Sequence, residues 1–194
     1  MPAHPKHKGP IIDTAVMLFR RRGYSATGLN EIVEVSGAPK GSLYHYFPGG
    51  KPSIAVAAVE EAGRRFAHSL EELFASTAST ADLIRSHGRQ LAGWMRKSGF
   101  RDGCPITTVI LELAPEDRAI CDAGRRAYAA RTDVFRRKLL QDGYAEQAAE
   151  RLAMLCTATL QGALIQSRVD RSGRPIETAA DELARLIGTA TSNS

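Results

Sequence analysis

Cysteine is too sparse in this chain to build a scaffold on. Cys104, Cys121 and Cys156 are an odd set with no CxxC pair and no His/Cys ligand spacing, so neither a disulfide framework nor a zinc site is expected. His4 and His7 have no third ligand following at helical spacing. No apolar run approaches the roughly 18 residues that a bilayer span needs, and the opening MPAHPKHKGP lacks a hydrophobic signal core. The expectation is a soluble, cytoplasmic protein with no membrane partner. Also missing are GxSxG, a Walker loop, GxGxxG after a strand, HExxH and paired carboxylates with a third partner, so neither an enzyme nor a cofactor is expected. Strand-like alternation and internal repeats are absent too, which leaves an all-α chain.

What is present is a basic front end. The formal charge is +5 over 194 residues. Residues 1–51 hold seven Lys/Arg against three Asp/Glu, whereas the remainder is close to neutral with 19 against 18. An evenly charged surface would spread that excess; its concentration at one end matches a partner that carries phosphates. Residues 1–9, rich in Pro, His, Lys and Gly, read as a disordered arm. Pro10 then opens a helix with Ile12, Ala15, Val16 and Phe19 on one stripe and Arg20, Arg21 and Arg22 in its last turn.

The stretch Thr27 to Lys51 carries the functional signal. Leu29, Ile32 and Val33 fall at i, i+3 and i+4 of a short helix that Thr27 is expected to cap. Gly37 supplies the turn, and Pro39 leads into a second helix with Leu43 and Phe47 facing inward. The other side of that helix carries Lys40, Gly41, Ser42, Tyr44, His45 and Tyr46, with no acid among them. Two helices around a glycine turn make a helix-turn-helix, and such a face offers donors for phosphates and base edges. For Tyr44 and Tyr46, simple packing of amphipathic rings is the competing reading.

Gly23-Tyr24, Thr27, Ile32, Ser36-Gly37, the run Lys40 to Phe47 and Lys51 together resemble the TetR-family N-terminal domain, and the Gly-Ala-Pro turn with the later PGGK resembles its LmrA/YxaF-like subgroup. The resemblance covers roughly residues 10 to 55. It implies an all-helical homodimer that represses transcription at double-stranded DNA until a small molecule binds the distal domain. It also implies phosphate contacts from Thr27, Tyr46 and Lys51 and base-edge contacts from Lys40, Gly41, Ser42, Tyr44 and His45. Pro39 and Gly28 stand where the family often has hydroxyl residues, and the PGG before Lys51 is a local insertion.

The expected architecture is a DNA-binding helix-turn-helix domain of three helices in residues 1–52, then a helical-bundle ligand-binding and dimerisation domain in residues 53–194, about nine helices in all. A long helix from Pro52 with Ile54, Ala58, Ala62, Phe66 and Leu70 in register joins the two, either as a coupling element or as a plain packing helix. STAST at 76–80 breaks the chain. Five further helices follow, near Ala81–Lys97, Ile106–Leu113, Arg118–Gln141, Ala145–Val169 and Ile176–Ile187. The last two share small residues, among them Ala153, Ala158, Gly162, Ala163, Ala179, Ala180 and Ala184, and read as half of a four-helix dimer interface. A pocket lined by Trp94, Met95, Ile110, Leu113, Tyr128 and Met154, with His87 and Gln161 as polar handles, would suit a small, mostly apolar effector. The reading is a ligand-responsive repressor on a pseudo-palindromic operator; a helical interaction protein or an orphan enzyme that kept the N-terminal fold is the alternative.

Overall fold

A computed structural model describes residues 6–190 of the chain. Among these residues there are nine α-helices and no strand, as the periodicity requires. They are α1 (Lys8–Arg22), α2 (Leu29–Ser36), α3 (Lys40–Tyr46), α4 (Lys51–Ser76), α5 (Thr80–Lys97), α6 (Pro105–Leu113), α7 (Arg118–Gln141), α8 (Glu146–Asp170) and α9 (Arg174–Ala190). Most of the expected arm, with His4, lies outside the described residues. None of the described helices is long and apolar enough to cross a membrane.

The ends of the helices are decided by hydrogen bonds that the periodicity does not carry. α1 starts at Lys8, two positions before Pro10, because the first turn of a helix has no partner for its N–H groups and a proline there loses nothing. α5 starts at Thr80 because the Ser79 hydroxyl accepts the Asp82 N–H at 3.1 Å. α2 is capped differently from the expectation. Gly28 holds the cap position with no side-chain bond, while the Thr27 hydroxyl donates backward to the Gly23 carbonyl at 2.8 Å.

The chain divides into two compact units, one reaching to Arg64 and including Cys104–Ala127, the other comprising Arg65–Gly103 and Tyr128 onward. In the first, α1, α2 and α3 pack as a tripod, with Ile11, Phe19, Ile32 and Leu43 wholly buried; two short helices alone would be marginal in water. α6 packs against α1 in the same unit. In the second, α9 packs along α5 and α8. A Cβ at Gly88 on α5 would stand 2.5 Å from that of Ala180 on α9, so the two backbones approach closely enough to require the glycine. Ala153, Ala163, Ala180 and Ala184 are buried within the fold, so their small size serves the packing inside this unit.

Candidate nucleic-acid interface

α3 is held by the apolar side that the sequence marks. Leu43 is fully buried and Phe47 is 4% exposed, and the turn before the helix is closed by Gly37 in the left-handed region at φ 65°. The Ser36 hydroxyl stiffens the same turn, donating to the Val33 carbonyl at 3.1 Å and accepting the Ala38 N–H at 3.3 Å. With that side anchored, Lys40, Gly41, Tyr44 and His45 are exposed and Ser42 and Tyr46 half-buried. Tyr44 keeps 48% of its surface open. Nothing lies within 4 Å of where a Cβ would stand at Gly41, so packing does not demand glycine there; it leaves a flat spot on the outward face. The His45 ring stands edge-on to Tyr46 at 4.9 Å. The seven residues of α3 include no acid. The helix thus presents hydroxyls, an imidazole and an ammonium, donors suited to phosphates and base edges.

Thr27 and Lys51 sit differently. Thr27 is completely buried, with its hydroxyl on Gly23 and its N–H on the Tyr24 carbonyl at 3.1 Å. The Lys51 ammonium lies 4.2 Å over the Tyr24 ring and 3.4 Å from the Ser25 carbonyl. Burial lowers the Lys51 pKa, and the nearby Glu112 charge opposes that.

Glu112, in the last turn of α6, is the residue that the sequence reading missed. Its carboxylate accepts the N–H of Tyr24 and the N–H of Ser25, each at 2.7 Å. Partial burial works to raise its pKa, but the bonds from Ser25 and Tyr24 and the charge of Lys51 outweigh it and hold the group below the usual range. The only signal available was a lone acid in the apolar run PITTVILEL.

The expected ligand-lining residues are drawn from both units. Ile110 and Leu113 are half-buried on α6 in the first unit, and the other six belong to the second. Met95 is 3% exposed, Tyr128 half-buried, and Trp94 is 43% exposed with its ring edge-on to Phe66 at 5.6 Å. Met154 is 65% exposed. His87 and Gln161 are brought together by Arg131, whose Nη2 is 3.3 Å from His87 Nε2 and whose Nη1 donates to Gln161 Oε1 at 3.3 Å. Desolvation and the neighbouring guanidinium push the His87 pKa down to about 3, so the ring is neutral. The Gln90 side chain beside the ring opposes that shift without overcoming it. An open depression of about 480 Å³ in the second unit is lined by Phe74, Arg137, Leu140 and Gln141, none of the expected eight. The described residues contain no group of three or more His, Cys, Asp or Glu placed to hold a metal, and burial pushes the Cys156 thiol up to about 12.

Two family profiles match the chain. One for bacterial regulatory proteins of the tetR family spans residues 11–58, and one described as "Transcriptional regulator LmrA/YxaF-like, C-terminal domain" spans residues 80–182. The chain is 31% identical to the uncharacterized HTH-type transcriptional regulator YxaF of Bacillus subtilis, over 91% of this chain and 93% of that protein. It is 34% identical to the uncharacterized HTH-type transcriptional regulator Rv0196 of Mycobacterium tuberculosis, over 91% of this chain and 92% of that one. In fold it is similar to a cysteine mutant of the TetR family regulator CifR complexed with 26-bp double-strand operator DNA, with a TM-score of 0.76 at 20% identity over 92% of this chain and 95% of that one.

Proposed function

Because the chain belongs to the TetR family of bacterial transcriptional regulators, in its LmrA/YxaF-like branch, and is a DNA-binding regulator rather than an enzyme, we propose that it is a cytoplasmic, ligand-responsive repressor that grips a pseudo-palindromic operator as a homodimer. The observation that carries this is the outward face of α3, acid-free and standing on the Leu43 and Phe47 anchors. On this reading Lys40, Gly41, Ser42, Tyr44 and His45 read base edges, and Tyr46 and Lys51 hold phosphates. Thr27 contributes by fixing the entry to α2, with its hydroxyl turned inward. Residues 1–52 are the DNA-binding part, residues 53–194 the ligand-binding and dimerising part, and α4, contributing to both compact units, is the connector between them.

Dimerisation is supported by an apolar stripe on α8, where Met154, Ile165 and Val169 are 65%, 47% and 77% exposed, and by Leu186 on α9 at 50%. A two-fold dimer places its recognition helices about 34–36 Å apart, one turn of the duplex. Release of DNA by a small, mostly apolar effector completes the cycle, with binding energy spent on one of two arrangements of the helices.

A mobility-shift titration with the DNA upstream of its own gene, run at two salt concentrations beside sedimentation of the free protein, tests this reading. Salt-sensitive binding of two subunits per site supports it. A monomer, or binding indifferent to salt, sinks it, since each neutralised phosphate steepens the salt slope by about 0.9.

A further inference from the structure

Lys51 stands where a cation is poorly placed for its own helix. It is the first residue of α4, whose first turn holds no acid, and a positive charge at a helix N-terminus opposes the helix dipole. Groups from elsewhere in the chain hold it there. Its ammonium lies 4.2 Å over the Tyr24 ring and 3.4 Å from the Ser25 carbonyl. An ammonium carries three donors, so the Ser25 contact leaves others for a further partner. Residues 47–50 alone separate Lys51 from α3, the helix with the acid-free outward face.

The turn that seats this ammonium is held from its other side by Glu112. Within the turn, the Thr27 N–H donates to the Tyr24 carbonyl at 3.1 Å and the Thr27 hydroxyl to the Gly23 carbonyl at 2.8 Å. The N–H groups of Tyr24 and Ser25 both go to the Glu112 carboxylate at 2.7 Å, the length of charge-assisted bonds. The ring under the ammonium and the carbonyl beside it belong to these same two residues. Glu112 therefore fixes the main chain that carries the seat, and its charge adds a second pull on Lys51. A free lysine chain loses rotamer entropy when it settles on a partner, and a chain already seated has less to lose.

We propose that Glu112 is a positioning residue of the DNA grip: by clamping the Tyr24 and Ser25 amides it presets Lys51 for a backbone phosphate. This rests on reading Lys51 as a phosphate contact. It makes a residue far outside residues 1–52 part of the grip. The carboxylate has two effects of opposite sign. As an acid in the unit that meets DNA it repels phosphates, so on charge alone its removal would tighten binding. Loss of the clamp weakens binding, and this is the effect that wins.

Anisotropy titrations test this with the DNA upstream of its own gene and with scrambled DNA, at several salt concentrations and well below the melting temperature. The full chain is compared as wild type, Lys51→Ala, Glu112→Ala, Glu112→Gln and the double variant Lys51→Ala with Glu112→Ala. Glu112→Ala should bind both DNAs about three- to tenfold more weakly, the scale of one exposed ion pair and the ordering of one lysine chain. It should also flatten the salt slope toward that of Lys51→Ala, by up to about 0.9. Glu112→Gln, with one acceptor and no charge, should lie between, and it decides the matter if Glu112→Ala does not fold. In the double variant the second substitution should add little, because both act on one contact. A structural role alone would lower the melting temperature and leave the affinity and slope of the folded protein unchanged, which overturns the proposal. Tighter binding by Glu112→Ala, a loss confined to the upstream DNA, or full additivity in the double variant overturns it as well. If Lys51→Ala weakens binding and the Glu112 variants do not, the positioning role falls and the phosphate contact stands. If Lys51→Ala itself binds as wild type does, both fall together.

Discussion

Glu112 accepts the backbone N–H of Tyr24 at 2.7 Å across 88 positions of the chain. Its second oxygen takes the N–H of Ser25 at the same distance, so one carboxylate holds two successive amides of the turn that leads into α2. Glu112 falls within the span matched by the LmrA/YxaF-like C-terminal profile, yet it packs in the compact unit that contains the helix-turn-helix. Glu112→Ala should destabilise the protein by about 1–2 kcal/mol, the scale of hydrogen bonds to an exposed charged group. Glu112→Gln, with a single acceptor oxygen, should lie between. Urea denaturation checks both, and an unchanged midpoint for Glu112→Ala would mean that water replaces the carboxylate without loss.

Gly23 stands directly under that contact. Its φ of 84° and ψ of 176° suit only glycine, and a Cβ there would lie 2.2 Å from Glu112 Oε1. Gly23→Ala should cost about 1–3 kcal/mol from backbone strain alone. Combined with Glu112→Ala the loss should fall short of the sum, because the clash partner has gone. Strict additivity in the four-way thermal comparison would separate the two effects.

Gly88 and Ala180 set the approach of α5 to α9. Gly88→Ala should lower stability by about 1–3 kcal/mol, since the blocking atom is on a helix-borne methyl rather than a flexible chain end. Ala180→Gly introduced with it should restore part of the loss. Calorimetry that finds Gly88→Ala as stable as wild type would show that the helices can part at little cost.

Lys40 and Tyr44 are exposed, so Lys40→Ala and Tyr44→Ala should leave the melting temperature nearly unchanged while weakening operator binding. Lys40→Ala should also flatten the salt slope by about 0.9 if it meets a phosphate, whereas a base contact would relax specificity at one position. Anisotropy titrations against operator and scrambled DNA distinguish these. Full affinity in both variants would remove α3 from the interface.

His87 makes stability fall in acid. Burial and the Arg131 guanidinium push its pKa in the folded chain down to about 3, below the ordinary imidazole value of 6.5, so the unfolded chain takes up a proton first as the pH drops. The contribution is complete above about pH 6.5 and is lost progressively toward pH 3. Glu112 and Asp133, whose pKa values are also lowered, act in the same direction but only in the carboxylate range. Urea midpoints compared near pH 7 and near pH 5 therefore isolate the histidine. His87→Gln should flatten that interval, and an equally steep profile would show that another group titrates there.

Residues that interact within a turn or two of one another were legible in the chain itself. Leu43 and Phe47 mark the inner side of α3, Gly37 marks the turn, and the run Lys40 to Tyr46 reads as an outward face because the helical period assigns each residue a side. The family followed from the same local run. Thr27 was misread as a cap because a hydroxyl before a helix has two carbonyl or amide neighbours in reach, and only the folded turn decides between them.

Glu112 and Arg131 belong to the other category. The partners of Glu112 are main-chain amides, which every residue but proline offers, so nothing in the identities of Tyr24 and Ser25 announces them. Arg131 is one of several cations in the run 118–141, and its burial, with His87 of α5 and Gln161 of α8 against its guanidinium, is set by elements distant in the chain. Sequence alone determined the helices, the recognition motif and the family, since those depend on spacing along one strand of chain. The tertiary structure decided which charge lies inside and which carboxylate steadies the turn, because both depend on distances between residues that the chain keeps far apart.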